Sequence, residues 1–178
     1  MDPVCGECGY DYRRLPPGDA ASVLRREADA LANAVRNRRP LEDVPAGSWS
    51  AIEYAGHVRD VLLVTRERTL HTRRRNGEAV ATMAPDDRVA WGEYDGLTGT
   101  RAAVEIRQAA EWLAHTWELL ADADWRRTLR YNYPKPALRP LSWLAAHIVH
   151  EVVHHRLDVE RLSIAATAPP EGTERTGE

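Results

Sequence analysis

Between Ala146 and Glu160 the chain reads AHIVHEVVHHRLDVE, and four of its seven histidines fall there. Within this stretch His150-Glu151-Val152-Val153-His154 spells H-E-x-x-H. On a helix that string is the zinc-protease signature, in which two histidines bind the metal and the glutamate serves as base. The same letters hold a second pair at the same spacing, Glu151 and His155. Either pair puts two ligands on one helical face, one turn apart.

A helical projection at about 100° per residue weighs the two registers. With Leu144 at zero, Ile148, Val152, Val159 and Leu162 fall on an apolar arc between about 0° and 80°. His155 lies near about 20°, inside that arc, with Glu151 beside it near about −20° and Asp158 on the same edge one turn on. His150 and His154 lie near about 240° and 280°, which places the protease pair on the expected polar face. Glu151 and His155 point inward, where a carboxylate beside an imidazole is costly without a partner. A metal ion is one partner that satisfies both.

A third ligand is expected from another helix. His57, in WSAIEYAGHVRDV, projects between Val61 and Val64 at the edge of an apolar stripe. Bundles build metal sites in this way, from inward residues on facing helices. His57, Glu151 and His155 make a two-histidine, one-carboxylate set with open coordination positions, suited by ligand type to Zn²⁺, Fe²⁺ or Ni²⁺. The protease register lacks the extended metzincin pattern, since Leu157 and Glu160 stand where Gly and His would follow. That register nevertheless stays open. His71 and His115 read as exposed or hydrogen-bonded histidines, and RERTLHTRRR as a solvated helix end.

Positioning these residues takes four amphipathic helices. The first follows Asp19, a candidate N-cap, with its stripe at Leu24, Ala28, Leu31 and Val35. The second begins at Ser48 or Ser50 and stops at Asn76-Gly77. The third opens at Thr100 with Ile106, Ala110, Leu113, Trp117 and Leu120 inward, and Ser142 caps the fourth, through about Leu162. Residues 78–99 read as irregular, and TLRYNY as a β-like arm. The pattern is an all-α four-helix bundle. The first connection is short enough for an antiparallel pair, while the second and third are long enough for crossovers. The expected organisation is a hook over residues 1–18, a bundle over 19–162 and a disordered tail over 163–178, ATAPPEGTERTGE being its main part.

The hook carries the only two cysteines, Cys5 and Cys8, in C-x-x-C spacing. Such a pair is half a zinc site, and no second pair exists, so zinc would need ligands from histidines or another chain. A redox pair and an ordered hook without chemistry are the other readings. The net charge of −3 gives no bulk attraction to nucleic acid. No run approaches the length of a membrane span, and the N-terminus lacks the basic start and apolar core of a signal peptide. A cytoplasmic protein with a small-molecule partner, and neither nucleic acid nor membrane, is the expectation. Phenylalanine is absent and Lys135 is the sole lysine.

Trp49, Ser50, Glu53, His57 and Asp60, in the pattern W-S-x-x-E-x-x-x-H-x-x-D, precede HEVVHHRLDV by about ninety residues. Together these motifs resemble the DinB-like superfamily, which includes the metal-binding domain of mycothiol-dependent maleylpyruvate isomerases and related thiol transferases. The resemblance covers roughly residues 19–162. It implies a bundle in up-down-down-up order and a metal held by His57, Glu151 and His155, with Asp60 and Asp158 behind the ligands. It also implies a divalent ion, Zn²⁺ first and Ni²⁺ or Fe²⁺ next, and mycothiol or another low-molecular-weight thiol as co-substrate. The activity implied is thiol S-transfer or isomerisation on a small electrophile. A non-catalytic metal-binding stress or interaction protein is the alternative, and an HExxH metalloprotease a minor one. His154 and His150 are the acid/base candidates at the rim. Arg130, Tyr131 and Tyr133 are candidates for gripping an anionic substrate, and Trp91 with Tyr94 for covering the pocket mouth. Superfamily bundles often dimerise, so a homodimer is part of the expectation.

Overall fold

The structure is a computed structural model that describes residues 3–38, 44, 47–132 and 135–167, with side chains through 162. Four long helices form the bundle: α1 (Ala20–Val35), α2 (Ala51–Arg74), α4 (Gly99–Glu118) and α5 (Leu141–Thr167). A short helix, α3 (Pro85–Ala90), interrupts the connection expected to be irregular. The expected arm is a strand, β1 (Thr128–Tyr131), paired antiparallel with β2 (Ala137–Pro140) in the register Thr128↔Pro140 to Tyr131↔Ala137.

The helical stripes are the core. Leu24, Ala28, Leu31 and Val35 of α1 and Ile106, Ala110, Leu113 and Trp117 of α4 are all buried. The bundle has the up-down-down-up order. α1 and α2 each pack along α4 and α5 and meet one another only sparsely, so the pair joined by the first connection lies diagonally across the bundle. Gly99 makes the α1–α4 junction possible: a Cβ there would overlap the carbonyl oxygens of Val35 and Arg36. Arg25 on α1 reaches Glu111 and Glu118 on α4, and Arg107 on α4 reaches Asp29 on α1. Ion pairs at the solvent surface contribute little, so the apolar seam carries the contact.

Helix boundaries follow local chemistry. Ser50 caps α2 in a reciprocal capping box: its hydroxyl accepts from the Glu53 amide at 3.2 Å, and Glu53 accepts from the Ser50 amide at 2.6 Å. α4 starts one residue before the expected Thr100, because Thr98 provides the cap, accepting from the Arg101 amide. Asp19 occupies the N-cap position of α1 without a side-chain hydrogen bond. α5 begins at Leu141, ahead of Ser142, and continues past Leu162 to Thr167. Five residues of the expected disordered tail are therefore helical, and 168–178 lie outside the described residues. Among the described residues no helix is long and apolar enough to cross a membrane.

The N-terminal arm differs most from expectation. Its 3₁₀ turn (Tyr12–Arg14) packs on α5, and Tyr10 and Leu15 join the rim of the core. The α5 face expected to be polar is consequently covered: His147 and His150 are 3% and 8% exposed.

Candidate metal centre

α2 and α5 bring His57, Glu151 and His155 together, with one ligand atom from each within 4.8 Å of the others. Glu151 Oε2 lies 3.8 Å from His57 Nε2 and 3.6 Å from His155 Nε2. The α5 pair comes from its i, i+4 spacing, and His57 arrives because α2 and α5 are bundle neighbours. Aromatic rings hold the imidazoles: Trp49 packs edge-on against His57 at 5.1 Å, and Tyr54 stacks on His155 at 5.2 Å. His57 and His155 meet edge-to-face at 5.0 Å.

The electrostatics fit a cation. Burial pushes the Glu151 carboxyl up, but His150, His155 and His57 around it outweigh burial and hold it well below the usual carboxylate range. Burial pulls His155 down, yet Asp158 and then Glu151 raise it to about 9. The Asp158 contact is direct, Oδ2 to Nδ1 at 2.9 Å, and it leaves Nε2 for the centre. His57 Nδ1 is buried with no hydrogen-bond partner. A largely buried anion with two imidazole Nε2 atoms aimed at it forms a set that a divalent ion suits.

The three ligands line a cavity of about 580 Å³. Val4, Cys5, Glu7 and Tyr12 of the N-terminal arm contribute to its lining, as do Arg68 of α2 and Tyr131 of β1. The Arg68 guanidinium sits over the Tyr131 ring at 5.3 Å, placing a cation at the cavity wall. Tyr131 in turn packs on Trp143 and His147.

Other sequence candidates are placed differently. Asp60 does not stand behind His57: its carboxylate takes Arg59 at 2.8 Å, Arg88 at 2.6 Å and the Tyr94 hydroxyl at 3.1 Å, tying α2 to the connection after it. Arg130 is exposed and outside the cavity, because strand alternation sends it to the opposite face from buried Leu129. Trp91 is 75% exposed and does not line the cavity, and Tyr94 is buried against Gly56 rather than at a mouth. Tyr133 lies outside the described residues. His150 and His154 line the cavity but face the arm, with the Tyr12 ring 5.2 Å from His150 and Cys5 Sγ 3.9 Å from His154 Nδ1. His71 pairs with Glu78 at 3.0 Å, and His115 is two-thirds exposed.

Sequence reasoning missed His147. It stands one turn before Glu151, with Nε2 3.9 Å from Oε1, and burial lowers it to about 4. Carrying the Glu151/His155 spacing one turn back along α5 would have found it. Arg68 carried no local signal, since its role depends on where β1 returns.

The DinB superfamily model matches residues 18–159. The chain belongs to the DinB superfamily. Its bundle is similar to that of YfiT from Bacillus subtilis, described as a probable metal-dependent hydrolase with an unusual four-helix bundle topology. The TM-score is 0.73 at 17% identity, over 84% of this chain and 86% of YfiT. At that identity the likeness concerns the DinB fold. No curated protein matches the chain by sequence.

Proposed function

We propose that this DinB protein is a divalent-metal-dependent enzyme acting on a small electrophilic molecule. The nucleophile is a low-molecular-weight thiol such as mycothiol, and the reaction is S-transfer or isomerisation. The observation that carries the reading is the convergence of His57, Glu151 and His155 on a cavity of about 580 Å³, the size of a small-molecule site. A divalent ion bound by these three, Zn²⁺ first, would supply Lewis acidity and bring a thiol or water in an open position toward its anion at neutral pH.

The chain's own groups do the rest. Asp158 fixes the His155 ring by accepting at Nδ1. Glu151 brings one negative charge to the centre, so a divalent ion keeps net positive charge there. Arg68 offers a cation to an anionic substrate group. A cytoplasmic setting would supply the thiol. Val104 and Trp112, both exposed and on one face of α4, support a homodimer.

Hydrolysis at the same site is the second reading, favoured by the likeness to YfiT. Metal-loaded protein given mycothiol and a model electrophile separates them. The proposal expects thiol-dependent turnover that His57→Ala abolishes. Turnover of an activated ester without thiol would favour hydrolysis, and metal binding without any turnover would favour the non-catalytic reading.

A further inference from the structure

His150 and His154, the two histidines of the H-E-x-x-H string, lie beneath the N-terminal arm. The arm that covers them turns back on itself: the Cys5 amide donates to the Tyr10 carbonyl, and the Gly9 amide to the Cys5 carbonyl, each at 2.9 Å. Gly9 takes φ +73°, the left-handed conformation that glycine adopts without steric cost. Burial raises the Cys5 thiol, but the Cys8 and Glu7 amides and His150 outweigh it and bring it to about 6, whereas burial and the neighbouring Cys5 hold the Cys8 thiol up despite the Tyr10 amide.

The thiols then meet α5. One ligand atom from each of Cys5, Cys8, His150 and His154 lies within 4.8 Å of the others. His154 Nε2 is engaged by Glu7 at 3.4 Å and Asp158 at 3.7 Å, and its Nδ1 is the nitrogen near Cys5. Neither ring nitrogen of buried His150 makes a hydrogen bond of good geometry; Nδ1 lies 3.4 Å from Glu151, and Cys5 is its other polar neighbour.

We propose that Cys5, Cys8, His150 and His154 form a second metal site, a closed Cys₂His₂ centre for Zn²⁺ that clamps the N-terminal arm to α5. The spacings C-x₂-C and H-x₃-H are those of structural zinc sites. A tetrahedron with Zn–S of about 2.3 Å and Zn–N of about 2.0 Å has ligand–ligand edges of roughly 3.3–3.8 Å, so the four atoms need to draw in by about 1 Å. Each thiol that binds gives its proton to solvent, and nothing is oxidised or reduced. Four protein ligands leave no open position, so the centre is structural. Its consequence is local: the arm supplies Val4, Cys5, Glu7 and Tyr12 to the cavity lining. The inference stands whether or not His57, Glu151 and His155 bind metal.

Cobalt titration of the reduced, metal-free full chain tests it. The expected result is a thiolate-to-cobalt charge-transfer band with tetrahedral ligand-field bands, saturating at one equivalent and displaced by Zn²⁺. Cys5→Ser and Cys8→Ser should each lose that band and that equivalent, while His57→Ala keeps both. Zn²⁺ should also slow alkylation of the wild-type thiols at least tenfold, a readout independent of variant folding. Absence of the band in wild type, its survival in Cys8→Ser, or alkylation unaffected by Zn²⁺ would overturn the proposal. So would a Cys5–Cys8 disulfide that forms in the presence of Zn²⁺ under mild reductant.

Discussion

His155 Nδ1 lies 2.9 Å from Asp158 Oδ2, while its Nε2 faces Glu151 at 3.6 Å. One carboxylate orients the ring and the other meets it at the centre. A positioning carboxylate of this kind typically changes metal affinity by about 10–100-fold. Asp158→Asn is therefore expected to weaken metal binding at this centre by that factor while leaving the bundle folded. Calorimetric titration with Zn²⁺, alongside circular dichroism, measures both. Unchanged affinity would remove Asp158 from the account.

The same pair sets a pH dependence. Asp158 and Glu151 overcome burial to raise His155 to about 9, so its ion pairs stabilise the metal-free fold fully below the usual imidazole value. That contribution fades as pH rises through about 9. The proton on His155 must also leave before Nε2 can bind an ion. Affinity at the three-ligand centre should thus rise about tenfold per pH unit between 7 and 8.5. Calorimetry in two buffers of different ionisation enthalpy should detect the released proton, using the double variant Cys5→Ser/Cys8→Ser to remove both thiols. A pH-independent affinity would contradict this.

Gly56 lets the Tyr94 ring lie against α2, and a Cβ there would overlap the ring. Tyr94 is buried and its hydroxyl reaches Asp60. Gly56→Ala should cost about 1–3 kcal/mol by overpacking, read as a lower urea midpoint with unchanged slope. Tyr94→Leu in the same background should recover part of the loss, because the ring is what the new methyl meets.

The regular part of the molecule was legible because periodicity reports burial. The stripes of α1 and α4 are the core, and the inward register of Glu151 and His155 meets His57 as the projection and the family resemblance both implied. What was hidden depends on segments far apart in sequence. The projection placed His150 and His154 on the polar face opposite the apolar arc, because it treats α5 as lying on one neighbour. The arm supplies a second, and Tyr10 and Tyr12 cover His150. Asp60 follows His57 by one turn, yet Arg59, Arg88 and Tyr94 claim it. Arg130 and Trp91 were plausible by residue type alone, and strand alternation and exposure place both away from the cavity.

The central claim is that His57, Glu151 and His155 hold a divalent ion. A crystal structure of the metal-loaded protein, with an anomalous difference map recorded at the metal edge, tests it most directly. The account predicts a peak bonded to His57 Nε2, Glu151 and His155 Nε2 at about 2.0–2.2 Å, open toward the cavity. A map with no peak among these three residues, with or without one at His150 and His154, would contradict it.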